Sequence, residues 1–179
     1  KKKKNTISTE ELINDCVLFQ SVTRAEMEEL LYYSETEEFS EGARILDEGN
    51  STRYLWVIKS GSCEVRKKLA NGSEQTLTKL SPLSVFGEMS FFKPAPHSAS
   101  VVALSDVEVV RIPGREFDQM LKDGAKGAQK VVFNTVRIMS DRLRMMDKWS
   151  AEMAESCGSR TRNAEWHDFR SKLYSDWKF

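Results

Sequence analysis

The chain has 179 residues and 40% hydrophobic content, enough to bury one core and carry a short appendage. Its 27 basic residues balance 27 acidic ones, so no global field draws it to nucleic acid or to an anionic membrane. Cys16, Cys63 and Cys157 are odd in number and widely spaced, unlike a disulfide framework or a Cys-x-x-Cys metal site, which predicts a reducing soluble compartment, cytoplasmic or organellar.

Residues 1–8 form a basic tail, its four lysines a solvated or cloned end rather than a targeting signal. The chain does not begin with methionine, which leaves open a removed targeting segment or a longer parent protein. No apolar run approaches the roughly 18 to 20 residues that span a bilayer, so no membrane partner is expected. From Thr9 to Tyr33 the apolar residues Leu12, Ile13, Cys16, Leu18, Phe19, Met27, Leu30 and Leu31 fall at helical spacing, with Ser8 or Thr9 able to cap the first turn. Two short helices joined near Gln20-Ser21 are predicted.

Beyond Glu35 the pattern changes to short runs punctuated by Gly42, Gly49, Gly61 and Gly72. Strands are predicted from Glu37 to Phe39, Arg44 to Asp47, Leu55 to Lys59, Cys63 to Lys67, Gln75 to Leu80, Ser100 to Ala103 and Glu108 to Ile112. Asn71-Gly72 reads as a two-residue hairpin turn. Leu55 and Val57 alternate against Trp56 and Ile58, so this strand is expected to be covered on both faces of a small barrel. Strands spaced by about ten residues favour an all-β roll or jelly roll over a parallel sheet.

A helical pattern resumes at Gly114 and is read as one long helix over about 115–155. Val132, Val136, Met139, Leu143, Met146, Ser150 and Met153 step by four and three alternately, a heptad-like seam. The stripe either packs on its own barrel or pairs with the same helix of a second chain. It runs further than a small barrel can cover, which favours the homodimer. Cys157-Gly158-Ser159 is expected to break the helix, and Trp166, Phe169, Leu173 and Trp177 mark an amphipathic tail over residues 156–179, a candidate surface for a protein partner.

The stretch FGEMSFFKPAPHSASV, residues 86–101, opens on a turn-forming Phe86-Gly87-Glu88 and closes on small, hydroxyl-bearing residues, as if backbone were arranged around an anion. It contains no arginine. Its cations are Lys93 and a mostly neutral His97, which by residue type is a surface loop histidine, a weak phosphate donor or a pH-sensitive group. Phe91, Phe92 and Met89 fit better as core under the loop than as base-stacking groups. Enzyme readings find little support. The two histidines, His97 and His167, lie far apart, without clustered carboxylates for a metal or a paired nucleophile and base.

Together these residues resemble a cyclic-nucleotide-binding domain of the catabolite-activator and kinase-regulatory-subunit type. The resemblance covers about residues 10 to 150. It rests on Leu18-Phe19, on Phe39, Gly42, Ile45, Gly49, Leu55, Trp56, Val57, Ile58, Gly61 and Val65, on Ile112 and Phe117, and on the 86–101 loop, which matches the family's phosphate-binding cassette without an insertion. It implies a mainly β fold with flanking helices: a cyclic-nucleotide-binding-like β-roll or jelly roll, a double-stranded β-helix, with N-terminal helices and a long C-terminal helix, within a domain spanning 9–155.

The resemblance also implies a ligand site of Phe86, Gly87, Glu88, Met89, Ser90, His97, Ser98, Ala99 and Ser100. Gly87 lets the main chain approach a bound group, Glu88 suits a ribose hydroxyl, and a helical turn near Met89 presents backbone N–H groups. His97 stands where the family has an arginine that clamps the phosphate, and Ser98 stands where a hydroxyl in guanine-selective members reaches the purine. Leu83, Ser84 and Ser90 also depart from the family pattern. Charge-assisted bonds contribute about 1.5 to 3 kcal/mol, so affinity for cyclic AMP or cyclic GMP is expected to fall roughly ten- to a hundred-fold or to be lost. No metal or other cofactor is expected. The commonest bacterial partner of this fold is a winged helix that binds DNA. Only about two dozen residues follow Glu155, and Arg160, Arg162, Arg170 and Lys172 are balanced by Glu165, Asp168 and Asp176, so no DNA partner is expected. The expected function is a non-enzymatic ligand-sensing regulatory module, or alternatively a ligand-free scaffold of the same fold docking a partner protein.

Overall fold

The computed structural model describes residues 6–156, without the side chains of 149, 150 and 153–156. It divides into two compact units between Thr135 and Val136. The Cys157-Gly158-Ser159 break and the Trp166 to Trp177 tail lie outside the described residues, as do the side chains of Ser150 and Met153.

The N-terminal helices start where capping chemistry places them. Helix α1, Thr9–Asp15, is capped by Ser8, whose hydroxyl accepts from the Glu11 N–H while the Glu11 carboxylate accepts from the Ser8 N–H at 2.7 Å. Thr23 and Glu26 repeat this reciprocal box on α2, Arg24–Tyr32. Each cap satisfies backbone donors that the first turn leaves without partners. Between the helices a 3-10 turn over Val17–Phe19 buries Leu18 and Phe19.

Eight strands follow: β1 Glu35–Phe39, β2 Arg44–Leu46, β3 Tyr54–Ser60, β4 Cys63–Lys68, β5 Glu74–Leu80, β6 Val85–Phe86, β7 Ser100–Ala103 and β8 Val107–Pro113. They form two four-stranded sheets, β1-β8-β3-β6 and β2-β7-β4-β5, with every pair antiparallel. Side chains alternate between faces along a strand. Trp56 and Ile58 therefore join Ile45, Leu46, Phe86, Val101 and Val109 inside the roll, while Leu55 and Val57 face the other way and are equally buried. Cover on both faces of β3 is thus found as expected. Cys16 and Cys63 are both buried free thiols, and burial pushes the Cys63 thiol up to about 11.

Three local expectations need correction. The hairpin between β4 and β5 is not closed by a two-residue turn. The Leu69 N–H donates to the Ser73 carbonyl at 2.8 Å and the Gly72 N–H to the Leu69 carbonyl at 2.9 Å, with Gly72 at φ 84°, so three residues make the loop. That geometry fits a turn followed by a left-handed glycine, with the Asn71 side chain capping the Ser73 N–H. The second correction is β6, which the sequence pattern missed. The third is that the helix expected over 115–155 is two helices. Helix α3 is Glu88–Phe92, α4 is Gly114–Lys122 and α5 is Lys126–Ser156. Gly124 at φ 77° separates α4 from α5, and its N–H reaches back to the Leu121 carbonyl to close the end of α4.

The first turns of α5 are bound to the N-terminal helices. The Lys130 ammonium lies 2.6 Å from a Glu26 carboxylate oxygen, and that pairing is the main cause holding the Glu26 carboxyl below its usual range. The Asn134 amide, 5% exposed, donates to the carbonyls of Leu18 at 2.9 Å and Gln20 at 2.8 Å. Further along α5, Val136, Met139, Leu143 and Met146 of the expected seam are exposed, and Val132 is half-buried.

Candidate functional site

The cassette begins where β6 pairs with β3. Phe86 lies opposite Trp56 in the ladder and stacks on it at 5.8 Å between ring centroids, so this predicted ligand residue is core. Gly87 follows at φ 82°, a left-handed conformation that glycine adopts without cost. A side chain there has no room, since a Cβ would lie 2.8 Å from both the Tyr54 carbonyl oxygen and Trp56 Cδ1.

The short α3 is anchored on its inner side by Phe91, which is fully buried against Phe117 at 5.1 Å. Arg53 secures the same turn from outside. Its Nε–H donates to the Phe91 carbonyl at 2.8 Å, and its fork meets both oxygens of Asp118 at 2.6 and 2.8 Å. That pairing holds the Asp118 carboxyl below the usual carboxylate range.

His97 is 5% exposed, so it is not the surface loop histidine its residue type suggested. Its backbone pairs with the segment before β3: its N–H donates to the Asn50 carbonyl at 2.8 Å and its carbonyl accepts from the Gly49 N–H at 2.9 Å. Both ring nitrogens are used. Nδ1 lies 3.0 Å from Ser90 Oγ, and Nε2 lies 2.7 Å from Thr52 Oγ1 and 3.3 Å from the Thr52 N–H nitrogen. A backbone N–H can only donate, which assigns the lone pair to Nε2 and the proton to Nδ1, directed at Ser90. Burial lowers the His97 pKa, and an imidazole that must accept at one nitrogen is neutral.

The other predicted site residues divide by depth. Glu88, Ser90 and Ser100 are buried, Gly87 and Ala99 are half-buried, and Met89 and Ser98 are exposed. Glu88 at 7% exposure is no solvated turn carboxylate, and Met89 is no core residue under the loop. Ser100 Oγ accepts from the Glu48 N–H at 3.0 Å and from Arg44 at 3.1 Å. The structure thus brings Ser90 and His97 together and turns the Ser100 hydroxyl to Glu48 and Arg44.

Sequence reasoning missed Thr52, Glu48 and Lys67. The Lys67 ammonium reaches the cassette from β4, at 2.5 Å from the Ser98 carbonyl and 2.6 Å from Glu48 Oε1. The other Glu48 oxygen accepts from the Lys68 N–H at 2.8 Å, and these bonds, that from Lys67 foremost, hold the Glu48 carboxyl low. Alternation along β4 alone could have suggested Lys67, since it shares a face with Cys63 and Val65. Among the described residues no cluster of His, Cys, Asp and Glu is arranged to hold a metal ion, and no helix is long and apolar enough to cross a membrane.

Comparison with known proteins agrees with this architecture. Residues 36–123 match the sequence model of the cyclic nucleotide-binding domain. A CRP-like cAMP-activated global transcriptional regulator of Mycobacterium tuberculosis is 24% identical over 144 residues, 80% of this chain and 62% of that protein. A cAMP-dependent protein kinase regulatory subunit of Debaryomyces hansenii is 31% identical over 112 residues, 63% of this chain and 24% of that protein. The crystal structure of Thermus thermophilus catabolite activator protein superposes with a TM-score of 0.70 at 25% identity, over 77% of this chain and 63% of that one. The chain therefore spans less than two thirds of these relatives. The expectation of no DNA partner stands against the name of the Mycobacterium protein, a transcriptional regulator. An antiparallel roll carrying the 86–101 cassette, matched by the family's sequence model from β1 through α4, makes residues 36–123 a cyclic nucleotide-binding domain, of the type found in CRP-like regulators and kinase regulatory subunits.

Proposed function

We propose that the chain is a non-enzymatic ligand-sensing module whose cassette takes a cyclic nucleotide more weakly than an arginine-bearing cassette does. The observation that carries this reading is the occupation of both His97 nitrogens. A neutral ring that donates to Ser90 and accepts from Thr52 has no N–H and no charge left for a phosphate. Loss of a bidentate, charge-assisted clamp corresponds to about 1.5 to 3 kcal/mol, or roughly ten- to a hundred-fold in affinity. Gly87 and Glu88 retain the turn and the carboxylate that suit a ribose, so the sugar half of the ligand keeps its partners. Cyclic AMP is the first ligand to test because the Mycobacterium relative is named as cAMP-activated; cyclic GMP is the second because of the exposed Ser98 hydroxyl.

In this reading the module dimerises through the row Val136, Met139, Leu143 and Met146, and ligand occupancy is reported along α5. The ligand-free scaffold is the second reading. It is favoured by the same Ser90–His97–Thr52 chain, which closes on itself without a ligand. Titration calorimetry of the wild type and His97→Arg with both nucleotides separates the two. The sensor reading expects measurable wild-type binding and a ten- to hundred-fold gain in His97→Arg. Equal affinity of the two proteins refutes the role given to His97, and no wild-type heat at millimolar nucleotide refutes the sensor.

A further inference from the structure

We infer that Lys67 is the cation that meets the phosphate of a cyclic nucleotide in this cassette, held ready by Glu48 and the Ser98 carbonyl. The inference rests on the reading that the cassette takes such a ligand. Among the described residues three cationic side chains from outside the cassette bond to it, and two are committed elsewhere, while Lys93 within it is exposed. Arg53 spends its fork on Asp118 and its Nε–H on the Phe91 carbonyl. Arg44 bonds the buried Ser100 hydroxyl and is neutralised by Glu74 at 2.7 Å, with Asp47 at 3.6 Å.

Lys67 differs in position and in capacity. It continues the inward row of β4 after Cys63 and Val65, which belong to or pack against the core of the roll, so its stem leaves the interior toward the rim. Its ammonium ends 2.5 Å from the carbonyl of Ser98, the residue directly after His97, and the Ser98 hydroxyl on the other side faces Met89 of α3 at 4.0 Å from sulfur. An ammonium carries three donors, and Glu48 and Ser98 account for two. With its side chain 42% exposed, the third is open to a ligand entering from solvent.

Glu48 gives the arrangement its second property. One of its oxygens pairs with Lys67 and the other is fixed by the Lys68 N–H, so the carboxylate competes with an incoming phosphate for the same ammonium. A point charge on a flexible stem can turn from one anion to the other, which a bidentate fork cannot do as readily. The cassette then binds anions by exchange with an internal carboxylate.

The test is calorimetry with cyclic AMP and cyclic GMP on the wild type, Lys67→Met, Lys67→Arg, Glu48→Gln, His97→Arg and the His97→Arg/Lys67→Met double variant, at about 50 and 300 mM salt, with melting curves to verify folding. The expected results are a loss of roughly ten-fold in Lys67→Met, retention within about three-fold in Lys67→Arg, and a gain of several-fold in Glu48→Gln, whose amide oxygen still accepts from the Lys68 N–H. The salt dependence should flatten in Lys67→Met. A purely structural Lys67 predicts no gain from Glu48→Gln. If wild type and Lys67→Met bind alike, Lys67 is not the clamp while the cassette reading stands. If only the His97→Arg proteins bind, Lys67 alone does not serve and the inference fails. If no protein in the set binds either nucleotide, the cassette reading fails and takes this one with it.

Discussion

Replacing Gly87 by alanine tests whether the start of the cassette is set by crowding as well as by backbone conformation. Gly42 is the control, because both glycines are left-handed, at φ 82° and 84°, but a Cβ at Gly42 meets nothing within 4 Å. The left-handed conformation alone costs alanine about 1.5 kcal/mol. At Gly87 the new methyl also lies 2.8 Å from the Tyr54 carbonyl oxygen, part of the β3 backbone, and 2.8 Å from Trp56, which is stacked on Phe86. Neither neighbour is the loose end of a flexible chain, so forced repacking adds about 2 kcal/mol. A chain of this length loses 2–4 °C of melting temperature per kcal/mol, giving a fall of about 7–14 °C for Gly87→Ala and about 3–6 °C for Gly42→Ala. Near-ultraviolet circular dichroism through the melt measures both. Variants that melt within about 2 °C of each other would show that the contacts at Gly87 relax freely, and the argument for a built approach at that point would fall.

The buried imidazole makes a pH prediction. The native pKa of His97 is lowered, so the unfolded chain binds the proton first. Stability is intact above the ordinary value of 6.5 and falls as pH drops below it toward the native value, by at most about 1.4 kcal/mol per pH unit. His97→Asn keeps a donor for Ser90 without titrating. It should be about 1–2 kcal/mol less stable at pH 7.5 and show a shallower slope between pH 6.5 and 5.5 in denaturant titrations, and an unchanged slope assigns the effect elsewhere. Arg53→Lys should lower stability by about 1–2 kcal/mol, a figure already reduced for its partly exposed pair, because an ammonium cannot hold Asp118 and the Phe91 carbonyl in one fork. Full recovery of the wild-type melt with lysine would contradict this. Leu143→Asp should halve the mass found by light scattering if the exposed α5 row pairs two chains, and a dimer that persists places the interface elsewhere.

The strands were legible because glycine punctuation and two-residue alternation are local signals. The runs around Trp56 and Val101 could be placed within a residue or so. β6 escaped because two residues cannot display a period, and they follow Leu83, whose φ of 72° no pattern of side chains announces. The break at Gly124 was hidden by apolar residues on both sides, Phe117 and Met120 before it and Ala128 and Val131 after, all of them buried. The cassette's length and turn glycine were visible in the sequence, whereas the state of His97 was not. Its partner Thr52 lies 45 residues earlier, and only folding brings the two together. The same distance in sequence favoured Lys93 over Lys67 as the nearby cation, although the cross-strand path from β4 to Ser98 is far shorter.

The Asn134 amide works as a clasp with two jaws. Because one side chain satisfies the carbonyls of both Leu18 and Gln20, the 3-10 turn and the root of α5 cannot part without stranding two acceptors at once. Any rotation of those first helical turns must either carry residues 18–20 along or break both bonds, so the N-terminal turn, far from α5 in sequence, moves with its root.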